Sequence, residues 1–547
     1  MTQIENKIKS EVIKAVKQAF DYDISDADFV IELPKDKNHG DYATNVALQL
    51  TKQLQNNPRA IAQRIIDNLD REEADIADCV IAGPGFINFT MQSEALTALI
   101  AKVLKEGDDY GRGNYSGKER YNLEYVSANP TGDLHPGHAR GAAMGDSIAR
   151  IMKFAGYDVT REYYVNDAGN QMNLMAKSLQ ARYFQGLNQK MEVPSDGYHG
   201  KDIIEAAEKL IAEVGDRYLN VDPEESLAKF REYGLIALLA NIKETMKKFR
   251  VEFDVWTSEQ SLYERNMIEE ALNKLNILGM TYQKDGALWL KTTEFADDKD
   301  RVIIKSDGSY TYLTPDIAYH LNKFNRGYDK LIDFLGADHH GYISRLKAAI
   351  GALGHNENDL DVIIIQMARM IKDGEEYRMS KRTGKAIALS DLIEEAGVDA
   401  IRYLFVSKAA DTHMDLDLDL ATRQTNENPV YYVQYAHARL CSILKNVGDY
   451  SVSLDHGLLT HTKEMALLKQ INEFGKVVID AAETKQPHKL CNYTHKLATL
   501  VHSYYNECKI IGEDKELQNQ RLALVEATKI TLKNALNLIG VEAVERM

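Results

Sequence analysis

Apolar side chains near the start of the chain recur at the spacing of an amphipathic helix. The positions that would share one helical face are Ile4, Ile8, Val12, Val16 and Phe20. The further elements expected here are strands at 29–33, 79–82 and 86–89 and helices over 41–54 and from Pro58 onward. Together they predict an N-terminal α+β domain over residues 1–115, which ends in a glycine-rich, polar segment at 107–117.

The middle of the chain alternates between strand and helix patterns. The expected strands cover 121–127, 158–165, 331–335 and 362–367, and the expected helices cover 136–154 and 343–353. Such alternation implies a parallel sheet with helices on both faces. We therefore predict a Rossmann-like domain over residues 116–390, interrupted by a largely helical insertion at about 180–295.

From about residue 391 onward the pattern is helical, with breaks near 411–419 and at Pro429. A connecting helical segment over 391–425 and an all-α C-terminal domain over 426–547 are expected. The predicted fold class is thus multidomain α/β, with a Rossmann-like parallel sheet between an α+β domain and a helical domain.

Composition narrows the class of protein. No apolar run approaches the ~18–20 residues that span a bilayer, and the polar N-terminus lacks a signal-peptide core, so a cytoplasmic protein without a membrane partner is expected. The four cysteines form no C-x-x-C pair, so neither a zinc knuckle nor a redox couple is indicated. A net charge of −16 argues against a basic coat for DNA or RNA, but a local surface can still bind RNA.

The first candidate site follows the first strand of the predicted sheet. His135 would cap the next helix, Pro136 suits its first position, and His138 lies in its first turn. Ligands bind outside the carboxyl ends of parallel strands, and the start of a helix favours phosphate. Two imidazoles can donate hydrogen bonds to a triphosphate, and Gly137 leaves room for a flat base or a backbone to approach closely. A chance H-x-G-H and a metal-binding histidine pair are the alternatives, although no third metal ligand is evident nearby.

The second candidate site follows the last strand of the sheet. Four basic residues lie within eight positions: Arg378, Lys381, Arg382 and Lys385. A mobile loop of this kind can close over a triphosphate and neutralise the leaving pyrophosphate. An isolated basic run is usually a solvated turn, but this one is predicted at the same sheet edge as the histidines.

These sites resemble two motifs of class I aminoacyl-tRNA synthetases. His135-Pro136-Gly137-His138 resembles their HIGH motif, and 378–382 (RMSKR) resembles their KMSKS loop, with Arg378 and Arg382 in place of a lysine and a serine. The segments similar to the arginyl branch of this family are 124–130 (EYVSANP), 312–316 (YLTPD), 336–340 (GADHH) and 428–439 (NPVYYVQYAHAR). The N-terminal and C-terminal modules are similar to the added domain and the anticodon-binding domain of that branch, so the resemblance covers nearly the whole chain.

The resemblance implies ATP-dependent activation of L-arginine to arginyl-adenylate and its transfer to the 3′ end of tRNA(Arg), with AMP and pyrophosphate as products. The implied catalytic residues are His135, His138 and Lys381. The implied ATP-binding residues are these three with Asn129, Gly137, Met379 and Ser380. The implied arginine-binding residues are Glu124, Ser127, Asn129, Tyr312, Asp316 and His339. A monomer is expected, with Mg²⁺ carried by the ATP and no metal bound by the protein itself.

A pocket for arginine must hold a planar, permanently charged group with five hydrogen-bond donors. Paired carboxylates suit this group because they accept its hydrogen bonds in a fork. Glu124 interrupts a mostly apolar strand, and Tyr312 and Asp316 are one helical turn apart. The alternatives are that Glu124 pairs with a lysine or an arginine, and that Tyr312 and Asp316 cap or pack a turn.

Three other functions compete with this interpretation. A small-molecule nucleotidyltransferase would usually be shorter and lack the helical C-terminal region. A synthetase-like RNA-binding protein without catalysis would be expected to have lost His135, His138 or Lys381, and the sequence retains all three. A class I synthetase for another amino acid is disfavoured by the Tyr312/Asp316 segment.

Overall fold

A computed structural model describes residues 2–32, 34, 40–295, 297–377, 387–448, 457–512 and 514–547. The predicted loop residues Met379, Ser380 and Lys381, with Arg378 and Arg382, lie outside the described residues. Within the described part, every helix is either too short or too polar to cross a bilayer.

The N-terminal domain packs helices against an antiparallel sheet. Its elements are α1 (Gln3–Phe20), β1 (Ile31–Glu32), β2 (Tyr42–Thr44), α2 (Val46–Gln49), α3 (Thr51–Leu54), α4 (Pro58–Asp67), β3 (Ile76–Ala82), β4 (Phe86–Met91) and α5 (Ser93–Glu106). The strand order is β1-β2-β4-β3. The helix predicted over 41–54 is wrong at its start, because Tyr42 pairs with Phe89 of β4 and is fully buried there, whereas α2 and α3 lie in its later part. Pairing with a strand distant in sequence thus overrides the local pattern.

The Rossmann-like domain contains the central sheet. Its elements are β5 (Arg120–Glu124), α6 (Pro136–Phe154), β6 (Asp158–Val165), α7 (Asn170–Gly186), α8 (Lys201–Val214), α9 (Pro223–Lys248), β7 (Val255–Ser258), α10 (Glu259–Glu264), α11 (Met267–Ile277), β8 (Thr281–Lys284), β9 (Ala287–Leu290), β10 (Arg301–Ile304), α12 (Leu313–Asn325), β11 (Lys330–Gly336), α13 (Ile343–Ala352), β12 (Leu360–Ile365), β13 (Ala368–Lys372) and β14 (Glu375–Glu376). The five parallel strands follow the order β12-β11-β5-β6-β7, which confirms the predicted sheet. The strand order reverses between β5 and β11, and ligands bind at such a switch point.

The segment at 180–295 is less helical than predicted. Helices α7, α8 and α9 form a core of their own. Strand β7, however, pairs in parallel with β6 and so belongs to the central sheet. Strands β8, β9 and β10 form a separate antiparallel sheet. Four half-buried residues make up β7, which is too short to give a recognisable strand pattern in the sequence.

The C-terminal region is helical, as predicted. Its elements are α14 (Leu389–Val406), β15 (Met414–Asp417), α15 (Leu418–Thr422), α16 (Pro429–Val447), α17 (Thr462–Asn472), α18 (Phe474–Thr484), α19 (His488–Glu507) and α20 (Lys515–Leu538). Strand β15 pairs with β13 and accounts for the predicted break near 411–419.

The N-terminal domain contacts the C-terminal helices directly. The Asn472 amide donates to the Tyr42 hydroxyl over 3.0 Å, and the Lys476 ammonium lies 2.7 Å from a Glu5 carboxylate oxygen. One continuous apolar core contains residues from all three regions of the chain. The domains therefore hold the sheet edge in a fixed position relative to the helical region.

Candidate active site

The chain bends sharply where β5 ends at the switch point. Val126 and Ser127 have φ values of 71° and 41°, in the left-handed region that costs energy for a residue with a side chain. The Ser127 hydroxyl donates to Glu124 over 2.9 Å and accepts from the backbone N–H of Tyr164 over 3.1 Å. Ser127, predicted to bind arginine, therefore holds the bend and the Glu124 carboxylate.

The two histidines of the first motif stack at the start of α6. Their ring centroids are 3.7 Å apart, and His135 caps the helix as predicted. The Nδ1 atom of His135 accepts from the Gly137 N–H over 3.1 Å, and that of His138 accepts from the His135 N–H over 3.4 Å. Since Nδ1 of each ring is an acceptor, the proton of the neutral imidazole lies on Nε2.

Both imidazoles are neutral at physiological pH. Loss of solvent lowers the pKa of His135, and loss of solvent together with the neighbouring His135 lowers the pKa of His138 to about 4. Neutral rings can approach each other without repulsion. Each can offer an Nε2–H to a phosphate oxygen.

Gly137 makes room for a neighbouring side chain. A Cβ atom at this position would lie 2.9 Å from Cε1 of His135, which is closer than real contacts allow. The prediction explained this glycine by the approach of a ligand. In the structure, the glycine instead leaves space for the His135 ring, which caps α6.

The segments before and after the basic loop form hydrogen bonds with residues next to the His135–His138 motif. Leu389, which begins α14 after the loop, donates its backbone N–H to the Leu134 carbonyl over 2.6 Å. The buried Arg140 guanidinium, in the first turns of α6, donates to the carbonyls of Gln366 and Ala409 over 2.6 and 2.8 Å. The described residues therefore bring the flanks of the two motifs together at one sheet edge.

Carboxylates cluster beside this edge. Asp316, near the start of α12, accepts a hydrogen bond from the Tyr342 hydroxyl. Burial raises the pKa of Asp316 to about 6. Burial and the nearby Asp316 raise the pKa of Glu259 to about 7, while the Tyr164 hydroxyl hydrogen-bonded to Glu259 opposes that rise. Two neighbouring carboxyls with raised pKa values favour a ligand that brings a positive charge.

Three further residues predicted to bind arginine are Tyr312, His339 and Asn129. Tyr312 is 93% exposed, and its role in binding arginine stays a prediction. His339 is exposed and has its Nε2 atom 3.5 Å from the adjacent Asp338 carboxylate. The Asn129 amide donates to the side-chain oxygen of Gln171 over 2.8 Å. Tyr312 points outward because it precedes the first residue of α12, where packing does not constrain it.

Three charged residues next to Glu124 were not predicted from the sequence. The Lys323 ammonium contacts Glu124 over 2.6 Å and Asp333 over 3.0 Å, and His320 contacts Asp333 over 2.7 Å. The structure thus confirms the alternative in which Glu124 pairs with a lysine.

The sequence contained one pattern that could have indicated these residues. The spacing of Asp316, His320 and Lys323 places the three on one face of α12. Glu259 and Tyr342, whose segments carry no motif, were also missed.

The sheet, its switch point and the stacked histidines are features of a class I aminoacyl-tRNA synthetase. The chain matches the family description "tRNA synthetases class I (R), catalytic domain" over residues 99–437. It also matches "Arginyl tRNA synthetase N terminal domain" over 4–91 and "DALR anticodon binding domain" over 433–547. The chain therefore belongs to the arginyl-tRNA synthetases, the enzymes that charge tRNA(Arg) with arginine.

Individual relatives agree with this assignment. An arginine–tRNA ligase from Bacillus subtilis is 52% identical over 551 residues, covering 100% of this chain and 99% of that one. The ligase from Geobacillus kaustophilus is 52% identical over 552 residues with the same coverage. The structure of the Thermus thermophilus arginyl-tRNA synthetase superimposes with a TM-score of 0.74 at 22% identity, covering 99% of this chain and 100% of that one, which shows that the fold is shared.

Proposed function

We propose that the chain activates L-arginine with ATP and transfers it to tRNA(Arg) at the edge where β5 and β11 end. The observation that carries this proposal is the presence, at that edge, of a half-buried cluster of carboxyls and of two stacked histidines at a helix start. The cluster of carboxyls suits a guanidinium group, and the helix start suits a triphosphate.

In the first step, a carboxylate oxygen of arginine attacks the α-phosphate of ATP. A new O–P bond forms, the bond to the β-phosphate breaks, and pyrophosphate leaves with the electron pair. Nε2–H groups of His135 and His138 would donate to phosphate oxygens as charge builds up on them. Lys381, outside the described residues, would stabilise the leaving pyrophosphate, with Met379 and Ser380 in the same loop beside the nucleotide.

In the second step, a terminal ribose hydroxyl of the tRNA attacks the activated carbonyl and AMP leaves. The amino-acid carboxylate and the ribose hydroxyl are positioned nucleophiles, so alignment provides much of the rate enhancement. Asn129 would hold the backbone end of the arginine. Glu124 and Asp316 would accept hydrogen bonds from its guanidinium.

Several partners complete the proposal. Mg²⁺ would enter with the ATP, as is usual for an ion that binds phosphates and keeps several water ligands. The enzyme would act as a monomer in the cytoplasm, on RNA and not on DNA, and would need tRNA even for the first step. An aromatic and cationic surface supports RNA contact, because the Arg439 guanidinium lies 4.6 Å from the Tyr435 ring and 4.4 Å from the half-exposed Tyr505 ring.

ATP–pyrophosphate exchange tests the proposed substrate and its order of binding. We expect exchange with arginine and tRNA together, and none with arginine alone or with any other amino acid plus tRNA. A panel of amino acids, each with and without total tRNA, measures this directly. Exchange supported by a different amino acid would overturn the substrate assignment.

Replacing His138 tests the proposed role of the histidines. The His138→Ala enzyme should lose roughly a hundredfold in kcat for exchange, the scale of losing one donor to the transition state. His138→Asn retains an N–H donor and should lose less. Equal rates for the wild type and the alanine variant would remove His138 from the mechanism.

A further inference from the structure

Lys323 is an unusual residue for the interior of a protein. Its side chain is 0% exposed, and its ammonium lies 2.6 Å from Oε2 of Glu124 and 3.0 Å from Oδ1 of Asp333. It also lies 4.4 Å from the centre of the Tyr319 ring. Removing an ammonium from water is costly unless opposite charges and hydrogen bonds compensate for it, and here two carboxylates do so.

The two carboxylates need this cation between them. Glu124 and Asp333 are direct partners on the neighbouring parallel strands β5 and β11. Like charges placed opposite each other in a buried sheet repel strongly. Lys323 lies between them: its ammonium helps to hold the pKa of Asp333 below its usual range, and the carboxylates raise the pKa of Lys323.

The network continues from Asp333 to the other side of the pocket. Nε2 of His320 lies 2.7 Å from the second oxygen of Asp333, and Nδ1 of His320 lies 2.7 Å from the backbone carbonyl of Asp316. Both ring nitrogens face acceptors, so His320 donates from both as an imidazolium. The pKa of His320 is raised accordingly, because the effect of Asp333 outweighs that of burial.

A continuous chain of contacts therefore joins three predicted pocket residues through three residues that the prediction missed. In order, it contains Ser127, Glu124, Lys323, Asp333, His320 and Asp316. In this chain, Lys323 holds one oxygen of Glu124 while Ser127 holds the other. The side chain of Glu124 is thus fixed by groups beneath the pocket before any ligand enters.

We propose that Lys323 is a positioning residue for arginine selection, which compensates the charge of Glu124 and fixes its carboxylate, with His320 and Asp333 linking this arrangement to the Asp316 backbone. The proposal rests on the proposed function, because it takes the pocket to be the arginine site. Preorganised carboxylates bind a guanidinium tightly since no side chain has to be ordered on binding. The histidines at α6 do not depend on Lys323, so ATP binding should be spared.

The test is the Lys323→Met enzyme, whose side chain is similar in length and uncharged. In tRNA-dependent exchange its KM for arginine should rise at least about tenfold, since a charged hydrogen-bond partner is lost in a buried site, and its KM for ATP should be unchanged. Lys330→Met is the matched control, because Lys330 lies on the adjoining strand β11 and pairs with Asp359 over 2.7 Å at the surface. This control should keep both KM values.

A double variant separates positioning from stability. Lys323→Met with Asp333→Asn removes the cation together with one of the two carboxylates that it contacts, so the apparent melting temperature should recover in part. The KM for arginine should stay high because Glu124 is still not held. If Lys323→Met does not fold, the double variant decides the question.

The outcomes are distinct. Four results would each overturn the proposal in favour of a purely structural lysine. In Lys323→Met, these are an unchanged KM for arginine or an equal rise in both KM values. The other two are a normal KM for arginine in the double variant and a failure of both variants to fold. A wild-type enzyme that shows no exchange with arginine would instead refute the proposed function, before any variant is compared.

Discussion

At the scale of single residues, the site contains two kinds of carboxyl. Some are paired with a cation of the protein itself, and others have no such partner among the contacts described. Glu124 and Asp333 share the Lys323 ammonium, whereas burial raises the pKa values of Asp316 and Glu259 to about 6 and about 7. In the empty protein near neutral pH, protons therefore compete with a guanidinium for the last two. The guanidinium itself stays charged throughout this pH range.

Arginine binding should consequently depend on pH. In the proposed site, the carboxyls of Asp316 and of the neighbouring Glu259 attract the guanidinium only when they are ionised. The KM for arginine should therefore fall as the pH rises from about 5.5 to 7.5, through the two raised pKa values. Arginine titrations at pH 6.5 in buffers of different ionisation enthalpy should reveal proton release. Glu259→Gln should weaken binding and reduce the number of protons released; a KM that is flat over this range would contradict the assignment.

The same two groups affect stability with a defined sign. Their folded pKa values lie above the ordinary values, so the folded state holds protons that the unfolded state has lost between about pH 4 and 7. Their contribution to the free energy of unfolding is present below this window and is lost as the pH rises through it. Arginine should therefore raise the melting temperature more at pH 8 than at pH 6, which differential scanning fluorimetry can measure.

At the scale of elements, α6 connects the sheet to the motif histidines. Its start is capped by His135 and begins with Pro136, and its third turn packs on the residue that follows β5. A Cβ atom at Gly145 would lie 2.3 Å from the ring of the fully buried Tyr125. Close approach of this helix to β5 is thus possible only with glycine at that position.

Gly145→Ala should push α6 away from the sheet. The expected loss is about 1–3 kcal/mol of folding free energy from overpacking, with a lower kcat for exchange because the histidines move with the helix. Gly141→Ala is the control on the same helix, since a Cβ there meets nothing within 4 Å. The control should be neutral or gain up to about 1 kcal/mol from helix propensity. Equal melting temperatures for the two variants would refute this packing argument.

The elements also show where prediction from the sequence succeeded. The helix at 136–154 and the strand at 158–165 have the predicted bounds, because long apolar patterns with a proline start and a glycine end are local signals. Strand β2 and strand β7 were not predicted. They are three and four residues long, and partners far away in sequence determine them.

At the scale of the whole molecule, the C-terminal residues join the catalytic and helical regions. The Arg250 guanidinium donates to the Gly540 carbonyl over 3.2 Å, and the Gln434 amide donates to the Glu542 carbonyl over 2.9 Å. Arg402, fully buried, donates to the Ile539 carbonyl over 3.1 Å and forms an ion pair of 2.6 Å with Asp146 of α6. A single side chain of α14 thus links the histidine-bearing helix to the C-terminus.

Removing Arg402 should destabilise the interface between these regions. Arg402→Met takes a guanidinium partner from the buried Asp146, a change that typically costs about 3–5 kcal/mol, and should lower both the melting temperature and tRNA-dependent exchange. In contrast, Arg423→Met breaks an exposed pair with Glu427 and should cost about 0–1 kcal/mol. Similar melting temperatures for the two variants would show that the buried pair does not join the regions.

The sequence by itself determined the family, the order of the domains, the parallel sheet and the histidines at the start of α6. Each of these depends on residues close together in the chain, where spacing, capping and apolar period are visible. Only the tertiary structure decided how the pocket is built. Glu259, His320, Lys323, Asp333 and Tyr342 come from four segments of the chain, with His320 and Lys323 sharing α12. Their burial, charge pairing and raised or lowered pKa values exist only once strands and helices distant in sequence pack together.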